Sequence, residues 1–331
     1  MKSKNALCGI SIAVILLWGV LAGSAQTNQY LFTGSETNIT LNPGICYITA
    51  YGAQGGDGYM STGGLGAEME GQFNFTGVTT LSILVGGKGG VGTSSGGGGG
   101  GSFVVKGGTP LVIAGGGGGA GAYGSGYPGL ITTNGGDGLG GGIGGNSGNG
   151  GNGGGYGGGG GGGGFLSNGG NGSSYFGAVG GGFAFINGGA GGSDLYYYGG
   201  TGGFGGGGAG NGQLVTGGGG GGYSGGGAGG NEDAGGGGGG SIIDSSAMLT
   251  GSELAGVQSG NGEIDIVAVP SLGIATVSSL PVVVWPASAT NVVLQMTTNL
   301  ASGNWVTVTN GIPFSGVQIT NASGNAFFRL H

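Results

Sequence analysis

Acid–base, nucleophilic and metal chemistry are built from histidine, cysteine and converging carboxylates, and this chain offers few of each. Its single histidine is His331, the last residue. Chain ends are seldom tied down, whereas a Ser-His-Asp arrangement needs an imidazole held firmly between its partners. The two cysteines are Cys8 and Cys46. Cys46 stands in the alternating run Ile45-Cys46-Tyr47-Ile48, where a small apolar thiol packs inward and stays inert. A zinc cage takes four nitrogen, sulfur or carboxylate ligands, which Cys46 and a terminal histidine do not furnish. Asp57, Asp137, Asp194 and the pair Glu232-Asp233 sit among glycines, a setting in which carboxylate and carbonyl oxygens suit calcium. The in-register Gly-Gly-x-Gly-x-Asp repeat of calcium-binding rolls is missing. Glu68 and Glu70 share one strand face and are read as a solvated sheet edge in preference to a glycosidase pair. The sequence therefore predicts no enzyme, no cofactor and no metal site.

One cluster suits contact with another molecule: Asp194-Leu195-Tyr196-Tyr197-Tyr198. Tyrosine joins apolar area to a polar tip and is enriched where proteins meet partners. Asp194, Tyr196, Tyr197 and Tyr198 are accordingly the candidate ligand-binding residues. Packing of the same rings against neighbouring β-structure is the competing reading.

These residues are scattered through an unusual background. Of 331 residues, 105 are glycine and only 5% are charged, against about 7% and 25% in ordinary soluble proteins. A conventional single-core enzyme is excluded. Collagen is excluded too, because glycine comes in unbroken runs such as 157–164 instead of every third place. Gly-x-Gly-x-x-Gly matches abound, and none opens an amphipathic helix after a strand, so they carry no nucleotide signal.

Lys2 and Lys4, the apolar stretch Ala6 to Leu21 and the small residues Gly23-Ser24-Ala25 have the order of a secretory signal cut after Ala25. Residues 1–25 are thus expected to be removed, leaving no transmembrane segment. Cleavage leaves three basic against twelve acidic residues, a balance of −9. That sign argues against nucleic acid and anionic lipid as partners. Cys46 is then alone, so stability has to come from packing and backbone hydrogen bonds.

The glycine-rich domain is expected over 26–269. Within it, β-strands fall in 30–114 and 241–269 and flank a polyglycine insertion over 115–240. Alternation is clearest in Ile45 to Tyr51 and in Glu263-Ile264-Asp265-Ile266-Val267-Ala268-Val269, a period that buries one strand face. Residues 270–276 read as a linker and 277–331 as a small C-terminal β module.

Glycine-rich sequence is the usual mark of a flexible linker. A linker has no reason to carry Phe165-Leu166, Phe183-Ala184-Phe185-Ile186 or Leu214-Val215 between its glycine runs. An ordered alternative is a bundle of extended threefold helices, each rising about 3.1 Å per residue with no internal hydrogen bonds. Their N–H and C=O groups must find neighbours, and only glycine fits where helices touch. Ordering costs about 1–2 kcal/mol per residue, against about 0.5–1.5 from a hydrogen bond and about 0.5–1 from a Cα–H···O contact. A single helix loses on that balance; a bundle in which each glycine both donates and accepts comes out about even, and the apolar clusters and flanking β-domain are expected to tip it.

The series Tyr51 to Gly58, Leu81 to Gly87, Gly98 to Val105, and Pro110 to Ala114 with its five following glycines is continued by Gly202 to Gly208. It closes with Gly217 to Gly227, Gly235 to Ser241 and Gly260 to Ile264. This order resembles the extracellular glycine-rich domain of the anaplastic lymphoma kinase and leukocyte tyrosine kinase receptors. The resemblance implies an all-β fold: a tumour necrosis factor-like jelly roll or β-sandwich with a large inserted polyglycine II helix bundle. It also implies extracellular binding of protein ligands. This sequence departs from the receptors in having no transmembrane helix after the domain, no His-Arg-Asp or Asp-Phe-Gly triplet and few cysteines. Residues 281–331, with Trp285-Pro286-Ala287-Ser288, Trp305 and Phe327-Phe328-Arg329-Leu330, resemble a short C-terminal module of secreted bacterial proteins.

The expectation is a secreted or cell-surface, non-enzymatic structural, adhesion or recognition protein with a cell-surface, matrix, protein or glycan partner. A soluble binder of glycan, peptide or ice is the alternative, and a degradative enzyme is a more distant one.

Overall fold

The computed structural model describes residues 26–155, 157–174, 177–194 and 199–269, and beyond them 273–277, 280–284, 293–299, 303–308, 317–318 and 327–330. Seven strands precede the glycine tract: β1 (Gln26–Leu31), β2 (Thr37–Leu41), β3 (Gly44–Tyr51), β4 (Gly66–Phe75), β5 (Thr79–Leu84), β6 (Ser102–Lys106) and β7 (Thr109–Ala114). A short hairpin, β8 (Gly172–Ser174) with β9 (Gly177–Val179), lies inside the tract. Then follow β10 (Ile242–Ile243), β11 (Leu249–Gln258) and β12 (Glu263–Val269). The described regular structure is all-β apart from one 3-10 turn at Phe185–Asn187.

Two five-stranded sheets form, in the orders β1-β12-β3-β4-β11 and β10-β7-β6-β5-β2. Strands on either side of the glycine tract are thus neighbours: β12 lies beside β3, and Ile242 and Ile243 pair with Ile113 and Val112. Alternation dictates the core. Ile48 and Ala50 of β3, Met69 and Phe73 of β4, and Ile264 and Ile266 of β12 pack with Leu81 and Ile83 of β5, Val104 of β6 and Val112 of β7. Each fully buried side chain of this size contributes about 1.5–3 kcal/mol.

The intervening residues of the second sheet face the other way and are buried as well. Leu84, Phe103, Val105 and Ile113 form a second cluster with Phe165 and Phe185, which come from the glycine tract. Phe185 stacks between the rings of Phe103 and Phe165 at centroid distances of 5.1 and 5.3 Å. A sheet covered on both faces needs unbroken apolar runs, and Phe103-Val104-Val105 and Leu111-Val112-Ile113-Ala114 supply them.

The glycine tract is ordered by a hydrogen-bond pattern with a period of three. Gly116, Gly119 and Ala122 donate to the carbonyls of Gly221, Gly218 and Val215; Gly117 and Ala120 donate to Ala53 and Gly56; Gly118 and Gly121 donate to Tyr127 and Gly124. Every third residue therefore addresses the same neighbour. The segment 217–222 repeats this toward three others: Gly217 and Gly220 donate to Ala234 and Gly237, Gly218 and Gly221 to Gly96 and Gly99, Gly219 and Gly222 to Gly160 and Gly163. Its carbonyls accept from Gly116 and Gly119, from Gly226 and Gly229, and from Gly208. Three flanking segments are reached by donation and three by acceptance.

Glycine is required here for space and seldom for torsion. A Cβ on Gly220 would stand closer than 3.0 Å to the carbonyl of Gly116, and one on Gly217 equally close to that of Gly119. Positive φ is kept for turns, as at Gly206 with 84°. The position a methyl would take is occupied by a neighbour's carbonyl oxygen, so each Cα–H faces an acceptor.

The chain from Val267 to His331 falls in a second compact unit. Its strands are β13 (Gly273–Val277), β14 (Leu280–Val284), β15 (Leu294–Thr297), β16 (Val306–Thr307), β17 (Val317–Gln318) and β18 (Phe327–Leu330), in three-stranded sheets β13-β14-β17 and β16-β15-β18. β13 starts at Gly273, within the stretch expected to be a connector. Arg329 lies over the Trp305 ring at 4.3 Å and donates to Gln295 Oε1 at 2.8 Å.

Candidate functional site

Segments leaving the strands run through the glycine lattice to a set of turns, and two of these turns carry the most exposed aromatic side chains among the described residues, Tyr59 and Tyr123. From Tyr51 the chain reaches a turn closed by Gly58 N–H donating to Ser61 O; from Ala114 it reaches one closed by Gly121 N–H donating to Gly124 O. At about 3.1 Å per extended residue, either path covers about 20 Å. Met60 N–H donates to Ala122 O at 2.8 Å, which ties the two turns together. Ser61 Oγ donates to the carbonyls of Gly121 and Ala122. Tyr59 and Tyr123 stand on them 66% and 63% exposed, with ring centroids 6.2 Å apart, and Met60 is exposed beside them. Apolar side chains held outward on a tied backbone are suited to contact, because little loop ordering remains to be lost on binding.

The carboxylates near these turns act on the backbone. Asp194 Oδ2 accepts from Gly199 N–H at 3.3 Å and Gly212 N–H at 3.1 Å. Asp57 Oδ1 accepts from Gly63 N–H at 3.0 Å, and its Oδ2 lies 3.4 Å from Lys88 Nζ. Asp137 Oδ1 accepts from Gly144 N–H at 2.8 Å. Asn171 and Asn168 do the same three residues apart, accepting from Gly181 and Ala184 at 2.9 and 2.8 Å. At the rim of the lattice, side-chain oxygens replace the carbonyls of a missing neighbour. Among the described residues no three histidine, cysteine or acidic side chains come together in a way that holds a metal ion.

Of the four residues expected to bind a ligand, Asp194 is placed as described; Tyr196, Tyr197 and Tyr198 lie outside the described residues. Sequence reading missed Tyr59 and Tyr123. Their signal was available in hindsight: each is a lone aromatic between glycine-rich runs, at a turn.

The remaining titratable cluster belongs to the outer face of the first sheet. Burial, then the charge of Glu263 and a hydrogen bond to it, push the Asp265 carboxyl upward. Tyr51 is pushed up to about 12 by burial and by Glu68, Asp265, Glu263 and Glu70. Glu70 accepts from Thr49 Oγ1 at 3.1 Å. Glu68 and Glu70 were expected at a sheet edge; β4 is instead an inner strand between β3 and β11, so they are solvated through a sheet face. Cys46 is buried, and burial pushes its thiol up to about 12, far from a reactive thiolate. No helix is long and apolar enough to cross a membrane among the described residues.

No protein-family model matches the chain, and no curated protein matches it.

Proposed function

We propose that this is a secreted or cell-surface, non-enzymatic structural or adhesion protein, built as a tumour necrosis factor-like jelly roll bearing a rigid polyglycine II bundle. In this reading the bundle is a spacer that holds contact-forming turns away from the β-sandwich. The observation that carries it is the three-residue hydrogen-bond period: in an extended helix with three residues per turn, every third N–H points to the same neighbour. Further support comes from the exposed pair Tyr59 and Tyr123 on turns fixed by backbone bonds. The ordered likeness to the glycine-rich receptor domain and the signal-like first 25 residues also favour an extracellular protein.

Fractionating the producing cells and probing culture fluid, envelope and cytosol with an antibody tests location. Recovery from fluid or envelope, together with retention of the purified protein on envelope preparations, is expected. Recovery from the cytosol alone contradicts the proposal. Loss of retention on changing Tyr59 and Tyr123 to serine, with the fold intact by circular dichroism, assigns contact to the turns. Selective binding on a glycan array without envelope retention favours a soluble binder instead.

A further inference from the structure

From the Tyr59–Tyr123 pair we infer that these two residues form an oxidative cross-linking site, a place where the folded chain is stapled by a dityrosine bond. Three observations place the phenols for it. Both rings stand on the surface, 66% and 63% exposed, open to a small oxidant or an enzyme. Their centroids are 6.2 Å apart in an edge-on arrangement of 81°, so rotation about surface side-chain torsions brings the ring edges together without moving the backbone. The backbone beneath is fixed, through Met60 N–H to Ala122 O and through Ser61 Oγ to the carbonyls of Gly121 and Ala122. No other tyrosine–tyrosine ring contact occurs among the described residues, and Tyr127, 44% exposed, is not in ring contact with either.

The chemistry balances with hydrogen peroxide and a peroxidase as oxidant. Each phenol gives up one electron and one proton, leaving a phenoxyl radical. The two radicals join through a carbon–carbon bond between ring positions ortho to oxygen. Both rings regain aromaticity as the displaced ring hydrogens return to the oxygens. The two hydrogen atoms removed reduce one peroxide to two waters. With Cys46 buried and alone, this fold has no disulfide among its described residues. A bond from residue 59 to residue 123 would close the first turn of the lattice onto the second, as a disulfide does in other extracellular proteins.

Treating the full chain at low concentration with peroxidase and hydrogen peroxide tests this. The expected result is blue dityrosine fluorescence on a protein that remains monomeric, with a peptide map that links residues 59 and 123 at a mass lower by two hydrogens. Tyr59→Phe and Tyr123→Phe each abolish that linked species, whereas Tyr127→Phe leaves it unchanged. Phenylalanine keeps the ring at an exposed site, so folding is preserved and is checked by circular dichroism. Dityrosine found only among Tyr196 to Tyr198, only between molecules, or at undiminished yield in both variants overturns the inference. Because the readout is a covalent bond, it stands or falls separately from envelope retention.

Discussion

At Gly220 one methyl group separates a folded lattice from a disrupted one. A Cβ there would overlap the Gly116 carbonyl oxygen, whereas a Cβ on Gly77 meets nothing within 4 Å and the torsion is ordinary. Gly220→Ala is therefore expected to cost about 1–3 kcal/mol as an overpacking change, and Gly77→Ala to be neutral or slightly stabilising; urea midpoints of the two variants check this. Asp265 contributes a pH dependence in the acid range. Its carboxyl is raised above the ordinary 3.8, mainly by burial and then by Glu263, and Oδ1 is buried without a hydrogen bond. An acid raised in the folded state binds its proton more tightly there, so its stabilising effect is complete below the unfolded value. That effect is lost as pH rises through the higher folded value. Asp265→Asn should remove this decline, leaving a stability profile that falls less from pH 3.8 upward, as thermal melts across acid pH would record. Residue types could foretell the inert thiol of Cys46. They could not foretell that Asp57, Asp137 and Asp194 serve backbone N–H groups, since an aspartate among glycines has the same local sequence whether it caps a chain or meets a cation.

Among the elements, strands with clean two-residue alternation were legible: β3 and β12 bury every other side chain in one core. The ten-residue strand β11 falls within the span 241–269 expected to hold strands, but it was not singled out there. It lies at the edge of its sheet, most of its residues are exposed, and its pairing with β4 shifts register twice. An element that buries little leaves no hydrophobic period to read. The aromatic clusters inside the glycine tract were recognisable as a departure from linker composition, but their partners were not, because Phe185 meets Phe103 across a long sequence separation. Phe185→Ala should expose how the lattice is anchored: loss of a stacked, buried ring costs about 3–5 kcal/mol. Denaturation followed by circular dichroism would detect it. A smaller loss, with lattice amides exchanging faster while sandwich amides hold, would mean that the aromatic stack clamps the lattice locally.

For the molecule as a whole, glycine content by itself does not distinguish a floppy tract from a packed one; the aromatic interruptions hint at packing, and the difference lies in which distant segments share hydrogen bonds. The three-residue period converts a sequence with few side chains into a body whose interior is backbone, bonded on six sides in the segment 217–222. Such a body gains from the number of segments assembled, since an isolated extended glycine segment does not recover its entropy. Side chains then matter mainly at its boundaries, as stacked rings against the second five-stranded sheet and as exposed tyrosines on the turns. Hydrogen–deuterium exchange across residues 115–240 measures this most directly. The account predicts slow exchange at Gly116, Gly119 and Gly217 to Gly222, comparable to the amides of β3 and β12. Complete exchange of these amides at the earliest time point, with β3 and β12 still protected, would contradict it.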